Sequence, residues 1–296
     1  MRYLYYPGCS LEGTALEYNG STRHVMKALG AELVELEDWT CCGASAAEPT
    51  SFLLSMVLGA RNLALGEKMG IQGDILIPCS ACYLNLKRVE ENVKQDRGIL
   101  ARVNMALEKE DLEYDGAGKA RHLLDILTTD FNPARIRARV KHGLSGLRVA
   151  PYYGCQCLRP YHIFDDPEDP KSMEPIILAL GADIHSWSMG AKCCGAALMT
   201  TKNDVGLELT GTILEAAQGA DCIVTVCPMC QMNLETYQDR ISKIRGKRLH
   251  ISVLYLPQLL GLAFGLSGKD LMLNHNLALT GDFRHKILHL TQRSEL

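Results

Sequence analysis

The sequence predicts an α/β protein made of two tandem units of the same design, each with a mainly parallel sheet and the two related by a pseudo-two-fold axis. Two observations favour this fold class. Short β-prone runs alternate with helical segments through short connections, which favours right-handed crossovers between parallel strands. Three blocks of residues also recur in the same order in both halves, which indicates a duplicated unit. We expect the units to span residues 1–145 and 146–296.

Each half reads as three strand–helix pairs. In the first half the β-prone runs are residues 2–6, 32–36 and 74–77. Apolar residues at helical spacing follow each run, and Gly30 closes the first of these helices. The segment beyond Leu256 has no counterpart in the first half, so we expect it to form a helical C-terminal extension.

The three repeated blocks each contain cysteine. They are YYPGC (5–9) with the one-residue-shorter YYGC (152–155), GAELVELEDWTCCGAS (30–45) with GADIHSWSMGAKCCGAA (181–197), and GDILIPCSACYLNL (73–86) with ADCIVTVCPMCQMNL (220–234). Every cysteine group in these blocks follows a predicted strand. Because the carboxyl ends of parallel strands meet at one edge of a sheet, we expect the cysteines of each half to gather there.

Ten of the twelve cysteines therefore form two equivalent sets. The first set is Cys9, Cys41, Cys42, Cys79 and Cys82, and the second set is Cys155, Cys193, Cys194, Cys227 and Cys230. The partial positive charge of the helix N-termini that follow favours thiolate over thiol, which is the form that binds metal.

Five cysteines exceed the four ligands of a structural zinc ion. Neighbouring residues such as Cys41 and Cys42 point in divergent directions on a strand, so they suit two metal atoms of a larger cluster better than one ion. Gly43 and Gly195 suit the same role, because a residue without Cβ lets the backbone turn and approach closely. A multi-iron cluster is the better fit, and zinc in one half remains the alternative.

Two cysteines stand outside the repeated pattern. Cys222 lies in an apolar run and is expected to be a small buried hydrophobic residue. Cys157 lies close to Cys155, and we assign it no ligand role.

Composition excludes several partners. A net charge of −3, from 31 basic and 34 acidic residues, argues against binding to nucleic acid or an anionic membrane. The longest apolar stretch, residues 253–266, is interrupted and falls short of the roughly 20 residues that span a bilayer. The N-terminus lacks the order of a secretory signal. We therefore expect a cytoplasmic protein without a membrane span.

The doubled CCG pattern, with its YYPGC and YYGC openings and its CSAC and CPMC endings, resembles the catalytic B-type subunit of heterodisulfide reductase over nearly the whole chain. Similar subunits occur in the heterodisulfide-reductase-like complexes of sulfur oxidisers. The resemblance implies that each half is a Rossmann-like CCG domain, and that its five cysteines hold a non-cubane 4Fe-4S cluster. The first set would then bind one cluster and the second set the other.

The resemblance further implies that a disulfide enters between the clusters, and that each cluster supplies one electron and captures one sulfur. A C-type iron–sulfur subunit and an A-type flavoprotein subunit would supply the electrons. The chain shows no flavin or nucleotide motif of its own, since the glycine-rich stretch near Lys269 departs from a P-loop.

Lys192, Arg159 and Lys202 lie near second-set cysteines in sequence and are candidates for orienting an anionic substrate; the alternative is solvated surface charge. Three functions remain open. They are reduction of a thiol-derived heterodisulfide such as CoM-S-S-CoB, oxidation of a protein-bound or small sulfur compound, and non-catalytic electron transfer or assembly.

Overall fold

A computed structural model describes residues 1–292. The strands are β1 (Arg2–Tyr5), β2 (Glu32–Glu35), β3 (Ile75–Ile77), β4 (Ala120–His122), β5 (Arg148–Tyr152), β6 (Asp183–Ile184), β7 (Cys222–Thr225) and β8 (Ser252–Tyr255). The α-helices are α1 (Gly8–Leu11), α2 (Leu16–Ala28), α3 (Ala47–Thr50), α4 (Phe52–Lys68), α5 (Ser80–Gln95), α6 (Arg97–Leu107), α7 (Leu123–Ile126), α8 (Asn132–Arg137), α9 (Glu174–Ala179), α10 (Asn203–Ala216), α11 (Pro228–Thr236), α12 (Gln238–Arg245), α13 (Leu256–Ala263) and α14 (Gly281–Thr291).

The strands form two four-stranded parallel sheets with the same order, β2-β1-β3-β4 and β6-β5-β7-β8. Strands β3, β7 and β8 are buried throughout. Such continuous apolar strands are typical of parallel sheets with helices on both faces. The predicted fold class, two tandem α/β units with mainly parallel sheets, is confirmed. The predicted boundary at residues 145 and 146 falls between α8 and β5 and stays a prediction.

Each sheet has one strand more than the sequence predicted. Strand β4 pairs with β3 and β8 pairs with β7 in equivalent register, His122 lying beside Ile77 and Tyr255 beside Thr225. The fourth strand of the first sheet escaped prediction because it has three residues with a charged one, Arg121, at its centre. The apolar stretch 253–266 supplies most of β8 and all of α13. The segment beyond Leu256 contains α13 and α14, so the predicted helical C-terminal extension is confirmed. Its first helix does have a counterpart in the first half, because α13 follows β8 as α7 follows β4.

The register also corrects the alignment of the first block. Tyr5 pairs with Leu76 in β3, and Pro151 pairs with Val224 at the equivalent position of β7. The segment YYPGC therefore corresponds to PYYGC at residues 151–155, with no residue missing. Tyr6 and Tyr152 are therefore equivalent residues, and both hydrogen-bond the loops that carry the adjacent cysteines.

The two units share one apolar core that contains side chains from both sheets, among them Leu76 and Val224. Two equivalent aromatic stacks cross between the halves. Tyr18 of α2 stacks on Tyr255 at the end of β8, with ring centroids 4.0 Å apart. Phe164 stacks on His122 at the end of β4 at 6.2 Å. This exchange of equivalent contacts is the pattern of a pseudo-two-fold axis.

Two candidate metal centres

The first cysteine set gathers at the carboxyl edge of the first sheet. Cys9 lies in α1 just after β1, Cys41 and Cys42 follow β2, Cys79 caps the N-terminus of α5, and Cys82 lies in its first turn. The sulfurs meet in close pairs. Cys9 Sγ lies 3.8 Å from Cys41 Sγ, and Cys42 Sγ lies 3.3 Å from Cys82 Sγ.

The second set gathers in the same way at the second sheet. Cys194 Sγ lies 3.5 Å from Cys230 Sγ, as Cys42 does from Cys82. Cys155 and Cys193 lie close enough that each changes the pKa of the other, as do Cys227 and Cys230. The structure thus brings together all ten cysteines that the sequence singled out, five at each sheet. The assignment of these cysteines as cluster ligands stays a prediction.

Two glycines let the backbone approach the sulfurs. A Cβ on Gly8, whose φ is +70°, would lie 2.8 Å from Cys82 Sγ. A Cβ on Gly154, whose φ is +71°, would lie 3.0 Å from Cys230 Sγ. The left-handed φ and the close approach both require glycine at these two positions.

Two tyrosines anchor the adjacent cysteine pairs. Tyr6 Oη donates to the carbonyl of Thr40, which precedes Cys41, and Tyr152 Oη donates to the carbonyl of Lys192, which precedes Cys193; both distances are 2.7 Å. Burial, and then the nearby thiols, raise the pKa of both tyrosines, so they remain neutral donors.

Two asparagines hold the second cysteine of each adjacent pair. Asn85 Nδ2 donates to the carbonyl of Cys42 at 3.0 Å, and Asn233 Nδ2 donates to the carbonyl of Cys194 at 2.7 Å. The roles of these tyrosines and asparagines were not predicted from the sequence. The asparagine signal was present, because both third blocks read CxxCxxN.

Hydrogen bonds between thiols separate their pKa values. Bonds from Cys41 and Cys82 hold the pKa of Cys42 well below its usual range. Bonding by Cys155, the amide of Gly195 and the charge of Arg159 lower the pKa of Cys193 to about 6, against burial. Each set thus contains a sulfur whose pKa lies below that of an ordinary thiol, which favours the thiolate form that ligates metal.

The donor set fits a cluster of several metal atoms. Within residues 1–292 no group of three or more His, Cys, Asp or Glu side chains is disposed to hold a single metal ion. The sulfurs of each set instead meet as contacting pairs, with one exposed side and one buried side. Five soft thiolate donors arranged in this way suit an iron–sulfur cluster.

The three predicted substrate-orienting residues differ in placement. Arg159 donates to the carbonyls of Pro167 and Ala191 and pairs with Glu168, so its guanidinium braces the loop before Cys193. The side chains of Lys192 and Lys202 are exposed, the first beside Cys193 and the second just before α10. Their action on a substrate stays a prediction.

The two cysteines outside the sets are buried. Cys222 lies in β7 within the core, as predicted from its apolar surroundings. Cys157 donates to the carbonyl of Tyr153 at 3.3 Å.

An α/β protein that presents five thiols at the edge of each of two equivalent sheets belongs to the class of tandem cysteine-rich proteins. The chain matches the cysteine-rich domain family designated CCG over residues 3–87 and again over residues 149–235. It therefore belongs to the family of tandem CCG-domain proteins that includes the B-type subunit of heterodisulfide reductase.

Similar proteins carry two kinds of name. The chain is 38% identical over 279 residues to the 8-methylmenaquinol:fumarate reductase membrane anchor subunit of Wolinella succinogenes, covering 93% of this chain and 96% of that one. It is 30% identical to a protein of Archaeoglobus profundus that is named as similar to the B-type subunit of heterodisulfide reductase, covering 90% and 91%. It is 28% identical to the B-type subunit of the ferredoxin:CoB-CoM heterodisulfide reductase of Methanosarcina mazei, covering 96% of each chain. These relatives identify the chain as a subunit of heterodisulfide reductase type and indicate an oxidoreductase role.

A solved structure shares the fold. A hypothetical protein from Helicobacter pylori matches with a TM-score of 0.75 at 15% identity. The match covers 95% of this chain and 52% of that one, so this chain spans about half the length of that protein. Although one relative is named a membrane anchor, no helix within residues 1–292 is long and apolar enough to cross a bilayer.

Proposed function

We propose that this chain is the catalytic subunit of a disulfide oxidoreductase complex of heterodisulfide reductase type, and that each set of five cysteines holds a non-cubane 4Fe-4S cluster. The observation that carries the proposal is the equivalence of the two sets. They follow the same strands of two sheets that have the same order, and the same tyrosine and asparagine contacts support both.

The clusters, when bound, supply two one-electron transfers, which together match the two-electron cleavage or formation of a disulfide. The chain's own residues orient the reaction. Cys9, Cys41 and Cys193 are exposed, whereas Cys42 and Cys194 are buried, so one side of each set faces solvent and can meet a substrate. Lys192, exposed beside Cys193, is the proposed contact for an anionic group on that substrate.

The proposal includes partners that deliver the electrons. A C-type iron–sulfur subunit and an A-type flavoprotein subunit are the proposed ones, and CoM-S-S-CoB is one candidate substrate. The twelve cysteines are all free, which suits the reducing cytoplasm that we propose as the location. Oxidation of a sulfur compound by the same centres is the reverse direction of this chemistry.

The relative from Wolinella succinogenes favours a second candidate function. That protein is named an anchor subunit of an 8-methylmenaquinol:fumarate reductase and is 38% identical to this chain over almost its whole length. By this alternative, the same two clusters relay electrons within a complex that oxidises a quinol, and no disulfide is turned over.

One experiment separates these functions. The chain is purified with its complex in the absence of oxygen, iron and labile sulfide are measured, and paramagnetic spectra are recorded with and without added thiols. Two clusters whose spectra respond to thiols, with reduction of CoM-S-S-CoB or another disulfide, support the first proposal. Clusters unaffected by thiols in a complex that reduces fumarate support the second, and stoichiometric zinc without iron would overturn both.

A further inference from the structure

A hydrogen-bonded group joins the two cysteine sets at the centre of the molecule. Tyr18 Oη lies 3.0 Å from the carbonyl oxygen of Pro78 and 3.2 Å from that of Val226. These two residues directly precede Cys79 and Cys227, one cysteine of each set. The Tyr18 ring is fully buried, so the two strand ends are tied to one hydroxyl in the interior.

Ser80, which like Tyr18 belongs to the first half of the chain, is the second hydroxyl of this group. Its Oγ lies 3.0 Å from the carbonyl oxygen of Val226 and 3.2 Å from His122 Nε2. His122 Nδ1 accepts the amide of Leu124, so Nε2 carries the ring proton and donates it to Ser80. The Ser80 hydroxyl proton is thereby directed to Val226, in the other half of the chain.

The group is one-sided although the fold is pseudo-symmetric. Phe164 occupies the place of Tyr18, at the same distance along the chain from its cysteine, and Pro228 occupies the place of Ser80. Neither has a hydroxyl group. Tyr18 and Ser80 of the first half therefore both hold the carbonyl before Cys227, and neither equivalent residue in the second half can return such a bond.

We propose that Tyr18 and Ser80 are positioning residues of the first half that act on the second cysteine set, fixing the Cys227 loop and thereby making the two clusters electronically unequal. This inference rests on the proposed function in so far as it assumes a cluster at the second set. Hydrogen-bonded residues around a ligating sulfur orient it and tune the reduction potential of the centre.

The test compares the wild-type complex with Tyr18→Phe, which copies the residue present at position 164, and with Ser80→Ala. The matched control is Ser55→Ala, which removes a buried hydroxyl that bonds only the carbonyl of Phe52 in its own helix. Redox titrations followed by paramagnetic resonance measure each cluster separately, and Cys41→Ala and Cys194→Ala variants identify which signal belongs to which set. Amide hydrogen exchange over residues 222–230 measures how firmly this segment is held, independently of any metal.

We expect Ser80→Ala to change the reduction equilibrium of the second cluster about tenfold, which is about 59 mV for a one-electron centre. Tyr18→Phe should change it in the same direction, and both variants should exchange faster over residues 222–230. Ser80→Thr should restore the wild-type values, and Ser55→Ala should match the wild type throughout.

Unchanged exchange over residues 222–230, together with an unchanged second-cluster potential in both variants, would overturn the inference. A shift confined to the first cluster would also overturn it, because Ser80 would then act only on its neighbour Cys79. If the wild-type protein holds no iron, the proposed function fails, and the exchange measurement alone decides whether Tyr18 and Ser80 hold the Cys227 loop.

Discussion

Individual cysteines of this chain differ in exposure, although their spacing in the two sets is similar. Cys41 and Cys193 face solvent, whereas Cys42 and Cys194, the next residue in each case, are buried against Cys82 and Cys230. Adjacent side chains point in divergent directions, and each pair of neighbours therefore contacts two different sides of its set.

Replacement of one ligand should therefore disable one centre. Cys41→Ala and Cys194→Ala should each lower the iron content of the purified complex by about one cluster and remove or alter one set of paramagnetic signals. Cys222→Ala is the control, since Cys222 is buried in β7 away from both sets, and it should keep the wild-type iron content. Two intact clusters with unchanged spectra in either ligand variant would show that the assignment of that residue is wrong.

Asn85 and Asn233 each donate to the backbone carbonyl of a buried cysteine, Cys42 and Cys194 respectively. Asn85→Leu should lower the free energy of unfolding by about 1 to 3 kcal/mol, because the carbonyl of Cys42 loses its donor. Urea denaturation of the variant measures the loss, and the same sample should release iron faster from the first set. Asn92→Leu is the control, because Asn92 lies in the same helix and bonds only the carbonyl of Arg88. It should lose less stability and release iron more slowly than Asn85→Leu.

Burial lowers the pKa of His122 to about 4, against a smaller opposing effect of Asp125. The unfolded chain, with a pKa near 6.5, takes up this proton first as the pH falls, so the wild type should lose on the order of 3 kcal/mol of stability between about pH 6.5 and 4. Measuring the free energy of unfolding of the wild type and of His122→Asn across this pH range tests the direction of the effect, because the variant should lose less stability as the pH falls. Burial raises the pKa of Glu235 to about 7, so protonation of Glu235 should stabilise the fold as the pH falls. This effect is present in both proteins and cancels when they are compared.

The connection between β1 and α1 shows how an element delivers its ligand. Gly8 turns the chain with a φ of +70° directly against Cys82, so that Cys9 of one strand end reaches the sulfurs of another element. The same connection after β5 uses Gly154 against Cys230. Tyr6 and Tyr152, at the strand ends, fix the loops that carry the adjacent cysteines.

Gly8→Ala should therefore reduce iron binding by the first cysteine set by more than the strain of a positive φ would. The new Cβ would lie 2.8 Å from Cys82 Sγ and must displace it, which should lower the iron retained by the first set. Gly30→Ala is the matched control, because its φ is +81° and nothing lies within 4 Å of the added Cβ. Equal iron retention in the two variants would show that the close approach of Gly8 has no role in the site.

The molecule as a whole is tied together by its shared core and by the exchange of aromatic rings between the halves. Tyr255, which is fully buried, stacks on Tyr18 and directly precedes α13. We therefore expect the two halves to unfold together rather than as two independent domains.

Loss of that stack should destabilise both halves together. Tyr255→Ala should lower the free energy of unfolding by about 3 to 5 kcal/mol, the usual cost of removing a buried aromatic ring. Native-state hydrogen exchange should show the loss in β3 as well as in β7, whereas Tyr161→Ala, at a partly exposed residue, should have a small effect. A loss confined to the second half would mean that the halves unfold separately.

Much of this arrangement can be read from the chain, because both periodicity and cysteine spacing are local properties. Three repeated blocks predict the duplication, and a cysteine group after each predicted strand predicts that the groups meet at one edge of a parallel sheet. The conclusion that five thiols exceed the needs of one zinc ion requires only counting and ligand chemistry.

The remainder depends on contacts between residues that are distant along the chain. The fourth strands, the equivalence of Tyr6 with Tyr152, and the bracing role of Arg159 became evident only from register and hydrogen bonding. The one-sided link from Tyr18 and Ser80 to Val226 is of the same kind. A duplicated sequence predicts two equal sites, but side chains that meet across a pseudo-two-fold axis need not be identical, and packing of the two halves converts a small difference in sequence into unequal surroundings for the two cysteine sets.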